Sequence, residues 1–170
     1  MKMRTLVRGL AAGLVGTAFM TAWQELAAAL KRHGPMNVEE RHAEDPDPWK
    51  KAPAPAQVAK RAIEAVSGIE VPASRIGLFT NAVHWGYGTT MGVAYALGQS
   101  ASRGRAAVRG PLFGTGVWAS SYAMLVPMGL YEWPWRYPAK TIAKDVSYHL
   151  VYGTGVAVGY SLLSRSRSDS

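Results

Sequence analysis

Four ionisable side chains stand inside stretches that otherwise carry almost no charge: Glu25, His84, Asp145 and His149. An ionisable group in a long uncharged run is costly to place and marks a candidate site. Asp145 and His149 are four residues apart, hence on one helix face, a spacing at which a carboxylate stabilises a charged imidazole. Imidazole is the side chain that gains its charge between about pH 5 and 8. The set therefore reads as proton-responsive, with Glu25 and Asp145 as counter-charges to His84 and His149. The plainer alternative is that each histidine bonds a carbonyl or hydroxyl of a neighbouring helix and serves packing. A second chemistry is open to the same pair, since two histidines on facing helices can ligate one haem.

Enzyme chemistry finds no foothold. The chain contains no nucleophile elbow, phosphate-cradling glycine loop or HExxH motif, so no catalytic residue is assigned. There is no cysteine, which excludes disulfides and thiolate metal sites. His33 and His42 lie nine apart in a polar segment, too few ligands for a structural metal, which needs about four.

The elements that must position these groups come in two copies. His84, Tyr87, Gly88, Thr89, Val93 and Tyr95 recur 65 positions later as His149, Tyr152, Gly153, Thr154, Val158 and Tyr160. A fainter echo relates Arg8, Gly9 and Gly13 to Arg109, Gly110 and Gly114, 101 positions on. Internal repeats constrain architecture before anything else does. The pattern implies two tandem helical hairpins in the same orientation, the first carrying an insertion.

Charge is strongly segregated within the 170 residues, although mean hydropathy is near zero. Residues 76–102, 110–131 and 146–164 contain no Asp, Glu, Lys or Arg, and residues 9–30 contain only Glu25. Each run approaches the roughly 20 residues that a helix needs to cross a hydrocarbon core of about 30 Å. Spans are expected over residues 9–30, 75–100, 110–131 and 141–164. The basic start at residues 1–8 resembles a signal peptide in charge, but the apolar run that follows is longer than a signal core. The fold expected is an all-α integral membrane four-helix bundle, a single membrane domain.

The net charge of +8 gathers at span ends, in Lys2, Arg4, Arg8, Arg103, Arg105, Arg109, Arg165 and Arg167. That is the positive-inside pattern, and it places both termini and the middle loop in the cytoplasm. Anionic lipid explains such a cluster better than nucleic acid does. The loop 31–74 then faces outward. Its acidic, proline-bearing first half cannot bury a core. Pro55 opens a short amphipathic helix in which Val58, Ala62, Ile63 and Val66 recur at helical spacing, and Gly68 stops it. Such a helix would lie on the membrane surface or cap the bundle.

Small residues supply the packing faces: Gly9 and Gly13, Gly88 and Gly92, Gly110 and Gly114, Gly155 and Gly159 are each four apart. This spacing lets membrane helices approach closely. Trp133, Trp135 and Tyr137 form an aromatic belt suited to anchoring at the outer interface.

Taken together, Trp23-Gln24-Glu25, His84 with the glycine-rich run to Tyr95, Pro127-Met128-Gly129-Leu130, Trp133-Pro134-Trp135 and the segment from Asp145 to His149 resemble the YagU-like proteins of the bacterial inner membrane. The resemblance covers most of the membrane part and is patchy through 31–74. It implies a small multi-pass protein without an established biochemical activity, in a family one of whose members is associated with acid resistance. A scaffold reading stands beside the proton-responsive one, with the glycine faces and outer loop holding a second copy or other membrane proteins.

Overall fold

The computed structural model describes residues 3–32, 47–99 and 106–165, and within them the chain is helical with no strand. The five helices are α1 (Met3–Arg32), α2 (Ala54–Ser67), α3 (Ile76–Gly98), α4 (Ala106–Leu125) and α5 (Ala139–Arg165). With 30, 23, 20 and 27 residues, α1, α3, α4 and α5 are all about 30 Å or longer at 1.5 Å per residue. Among them α1 alone is both long and apolar enough to cross a membrane by length and composition. The other three dilute their apolar residues with Gly, Ser, Thr and Tyr. His33 and His42 with the acidic half of the first loop, Lys2, the basic turn at Arg103 and Arg105, and Arg167 lie outside the described residues.

The chain divides into two compact units, one formed by residues 1–25 with 85–170 and the other by residues 26–84. In the first unit, helices meet where side chains are smallest. A Cβ on Gly13 would lie 2.7 Å from the Gly88 carbonyl oxygen and from Thr89 Cα, so α1 and α3 touch backbone to backbone. A Cβ on Gly110 would lie 2.9 Å from Thr154 Cα, and one on Gly114 would run into the His149 carbonyl, which joins α4 to α5 in the same manner. A third contact sets Gly155 and Gly159 of α5 against Gly16, Phe19 and Val15 of α1. Gly9 and Gly92 complete the α1–α3 seam.

These contacts correct the register of the repeat. Gly13 faces Gly88 and Thr89, while Gly110 faces their counterparts Gly153 and Thr154. Gly110 is thus the structural equivalent of Gly13, 97 positions on, and Gly114 is the equivalent of Thr17. The shift from 101 is one helical turn, which leaves every glycine on the same face.

The rest of the core combines aromatic and polar groups with the aliphatic side chains of Val117, Val156 and Ala157. Thr17 is buried, donates to the Gly13 carbonyl at 2.9 Å and lies against Gly88. Tyr152 is buried and donates to the Gly88 carbonyl at 2.6 Å. Tyr95 packs edge-on against Phe113 and Tyr160, with ring centroids 5.0 and 5.8 Å apart. Near the other end of α4, the expected run to residue 131 is cut short at Leu125. Gly129 has φ 66°, its N–H bonds the Val126 carbonyl at 2.9 Å, and the Leu130 N–H bonds the Leu125 carbonyl at 3.0 Å. This paired reversal satisfies the last carbonyls and stops the helix, a role for which glycine is suited because φ is positive.

In the second unit, α2 begins after Pro53 and ends where Gly68, at φ 69°, returns its N–H to the Glu64 carbonyl. The flanking chain wraps one side of it. Gln57 donates to the Ala52 carbonyl at 2.8 Å, and Trp49 Nε1 donates to the Val71 carbonyl at 3.2 Å. Glu64 accepts from Lys60 Nζ at 2.7 Å and from the Val71 N–H at 3.0 Å. The Lys60 hydrogen bond, followed by the Val71 N–H, holds the Glu64 carboxyl below its ordinary value.

Candidate functional site

Two pairs of residues, each one helical turn apart, face each other across the α4–α5 contact. From α4 come Trp118 and Tyr122; from α5 come Asp145 and His149. Trp118 Nε1 donates to Asp145 Oδ2 at 3.0 Å, and the Tyr122 hydroxyl donates to the same oxygen at 3.1 Å. Hydrogen bonds to an ionised carboxylate are roughly twice as strong as neutral ones. His149 Nδ1 lies 2.9 Å from the Asp145 main-chain carbonyl and 3.7 Å from Asp145 Oδ1. A carbonyl can only accept, so Nδ1 carries the hydrogen and Nε2 remains the position for a further proton.

The backbone fixes this arrangement. Gly114, one turn before Trp118, lies directly on the His149 carbonyl, so α4 and α5 meet there with no room for a side chain between them. Tyr122 is buried, and its ring meets Trp118 at 5.2 Å, Tyr131 at 5.2 Å and Tyr137 at 6.4 Å. α1 reaches the neighbouring turn of α5, where Trp23 Nε1 donates to Ser147 Oγ at 3.2 Å. The Asp145 carboxylate thus receives two oriented donors from α4, and the ring of one of them, Tyr122, is packed among three further aromatic residues.

Of the residues singled out by sequence, Asp145 and His149 are brought together, and both are half-buried. Glu25 is exposed, and among the described residues no hydrogen bond or ion pair joins it to this cluster. His84 is half-buried on α3. The repeat equivalent of Asp145 is Thr80, whose hydroxyl bonds the Ile76 carbonyl at 2.8 Å, so the turn before His84 offers no carboxylate. Among the described residues no group of three or more His, Asp or Glu is placed to hold a metal ion.

The interface anchors divide. Trp133 and Trp135 are exposed and stacked, centroids 4.9 Å apart and planes within 6°, with Trp135 74% accessible. Tyr137 turns inward and its hydroxyl accepts the Glu132 N–H at 2.9 Å. Trp118 and Tyr122 complete the cluster around Asp145, and sequence alone did not assign them. Their signal was present, since both share the face of Gly110 and Gly114 and both carry a polar tip.

No protein-family profile, curated protein or solved structure matches this chain. What the site can do follows from its own residues.

Proposed function

We propose that this chain is a four-span protein of the bacterial inner membrane whose α4–α5 contact responds to acid on the outer side through His149 and Asp145. The observation that carries the reading is the shared carboxylate: Asp145 is held by Trp118 and Tyr122 from α4 while His149 stands 3.7 Å from its other oxygen. A proton added at His149 Nε2 makes an imidazolium that attracts Asp145 Oδ1. Turning the carboxylate toward His149 draws Oδ2 away from Trp118 and Tyr122 and loosens the seam between the helices. The titratable groups facing this pair are Tyr122 from α4 and, around it, Tyr131 and Tyr137 from the following loop.

Membrane placement has separate support. In the first unit the buried positions include Ala12, Thr17, Tyr95, Tyr122, Tyr152, Val156 and Ala157, with Val117 and Leu125 as the larger aliphatics among them, whereas Leu10, Leu14 and Phe19 of α1, Leu112 and Met124 of α4, and Val158 and Leu162 of α5 are exposed. Leu112 is 66% accessible. Large aliphatics mostly outside and small, aromatic or polar residues mostly inside suit hydrocarbon as the surrounding medium. The resemblance to the YagU-like proteins adds an envelope role in acid tolerance to this reading.

The experiment is hydrogen exchange on protein in anionic vesicles, with the outside pH lowered from about 7.5 to about 5.5, a range that spans imidazole titration. Amides around residues 118–122 and 145–149 should exchange faster at acid pH in the wild type. His149→Gln should abolish the change and His84→Gln should keep most of it. A wild type without a response, or a His149→Gln variant that responds fully, overturns the reading.

A further inference from the structure

α2 is amphipathic, yet it turns its polar side toward its own flanking chain. At 100° per residue, Gln57, Lys60 and Glu64 share one side, and these are the groups engaged by Ala52 and Val71 and placed beside Trp49. Pro55, Val58, Ala62 and Val66 share the other side with Ala59 and Ile63. That apolar side opens progressively toward the C-terminal end of the helix. Val58 is half-buried, Ala62 and Ile63 are exposed, Val66 is 90% accessible, and Ile69 beyond the Gly68 stop is 68% accessible. A short helix that covers its polar side and exposes valine and isoleucine is the reverse of what water as the only neighbour would favour.

We infer that this side of α2 beds into the lipid surface, with Val66 and Ile69 reaching the boundary between headgroups and acyl chains. This rests on the membrane reading above. Three observations select lipid as the occupant. α1, which leads into this unit, is the helix apolar and long enough to cross a bilayer. The segment 47–75 carries five basic residues, Lys50, Lys51, Lys60, Arg61 and Arg75, against three acidic ones, Asp47, Glu64 and Glu70, a balance that favours anionic headgroups. On the helical wheel Arg61 lies about 140° from Val66, so the side that would be immersed carries no charge. Helices of this kind bind flat in the interface, their apolar side about 5–10 Å deep.

Because the chain has no cysteine, single-cysteine probes report single positions. Val66→Cys, Lys51→Cys and Leu14→Cys, each carrying an environment-sensitive fluorophore, are placed in full-length protein in phosphatidylcholine vesicles containing phosphatidylglycerol. Spin-labelled lipids quench near the headgroup or near the chain ends. The Val66 probe should be blue-shifted and lose about half its emission to the shallow quencher, and much less to the deep one, as expected for an interfacial helix. The Lys51 probe should stay close to its emission in water. The Leu14 probe should be quenched most by the deep label. Leu14 quenched with Val66 unshifted overturns the α2 inference alone. Val66 blue-shifted but untouched by either quencher means a protein surface covers it, which also overturns the inference. Leu14 untouched by both quenchers overturns the membrane reading and this inference with it.

Discussion

At the scale of single residues, Asp145 is the group whose replacement separates a hydrogen-bonding role from simple space filling. Asp145→Ala leaves the Trp118 indole N–H and the Tyr122 hydroxyl without their acceptor inside the α4–α5 contact. Each stranded donor costs about 1–3 kcal/mol. Asp145→Asn keeps one acceptor oxygen in nearly the same volume and should cost about 1 kcal/mol, the worth of one ordinary hydrogen bond. Thermal unfolding in detergent should therefore rank wild type, Asn and Ala in that order, with the larger drop at Ala. Equal melting points for the two variants would remove the donors from the account. The pairing of Asp145 with His149 could be read from sequence because one helix encodes it through a spacing of four. The partnership with Trp118 and Tyr122 could not, because it depends on how far α4 slides along α5, and neither helix carries that number. The placement of Glu25 away from this cluster was hidden for a related reason. Its rarity in an apolar run signalled function, while its exposed position follows from which face of α1 is turned to α3 and α5.

Between elements, the seams are written in glycine, and two glycines of α4 test them against each other. Gly114 lies on the His149 carbonyl, and a Cβ there must push α4 and α5 apart. Gly116, two residues on, has open space where its Cβ would be. Gly114→Ala should destabilise by about 1–3 kcal/mol, the usual cost of overpacking. Gly116→Ala should be neutral or gain up to about 1 kcal/mol from helix propensity. The readout is again unfolding in detergent, and a Gly114→Ala protein as stable as Gly116→Ala would mean the backbone contact is absent. That these faces pack was legible, since small residues at intervals of four mark a close approach. Their register was not, because sliding by one turn returns each glycine to the same face and 97 looks like 101. The early end of α4 has a different cause. The uncharged run continues to residue 131, but Gly129 in the left-handed region reverses the chain, and absence of charge reports the surroundings of a segment rather than its conformation.

For the molecule as a whole, the proposed four-span reading turns on whether each of the long helices crosses a bilayer, and the two halves of the repeat bear on it. α1 and α4 are packed by equivalent contacts against α3 and α5, at Gly13 on Gly88 and at Gly110 on Gly153. A helix in lipid and its structural equivalent in water would need different outer faces. Instead, α1 exposes Leu10 and Leu14 while α4 exposes Val108 and Leu112, and α5 exposes Val158 and Leu162. Of the residues that dilute α3, α4 and α5, Tyr95, Gly114, Tyr122 and Tyr152 are turned inward, where lipid would not meet them, whereas Asn81, Thr115, Ser120 and Thr154 are exposed. Single cysteines at Arg4, Lys51, Trp135 and Arg165, all exposed positions, report sidedness to a membrane-impermeant thiol reagent in intact cells. Four crossings predict labelling at 51 and 135 and protection at 4 and 165 until the membrane is opened. If α1 crosses alone, 51, 135 and 165 must all behave alike; labelling of 165 together with 135 would mean that α5 does not cross and would remove the four-span reading. Protection of 165 beside labelling of 135 requires α5 to cross, and labelling of 51 beside protection of 4 requires α1 to do so. With 51 and 135 on the same side, α3 and α4 then cross as a pair or not at all, and a cysteine at Ala107, exposed at the start of α4, separates those two cases by its protection or its labelling.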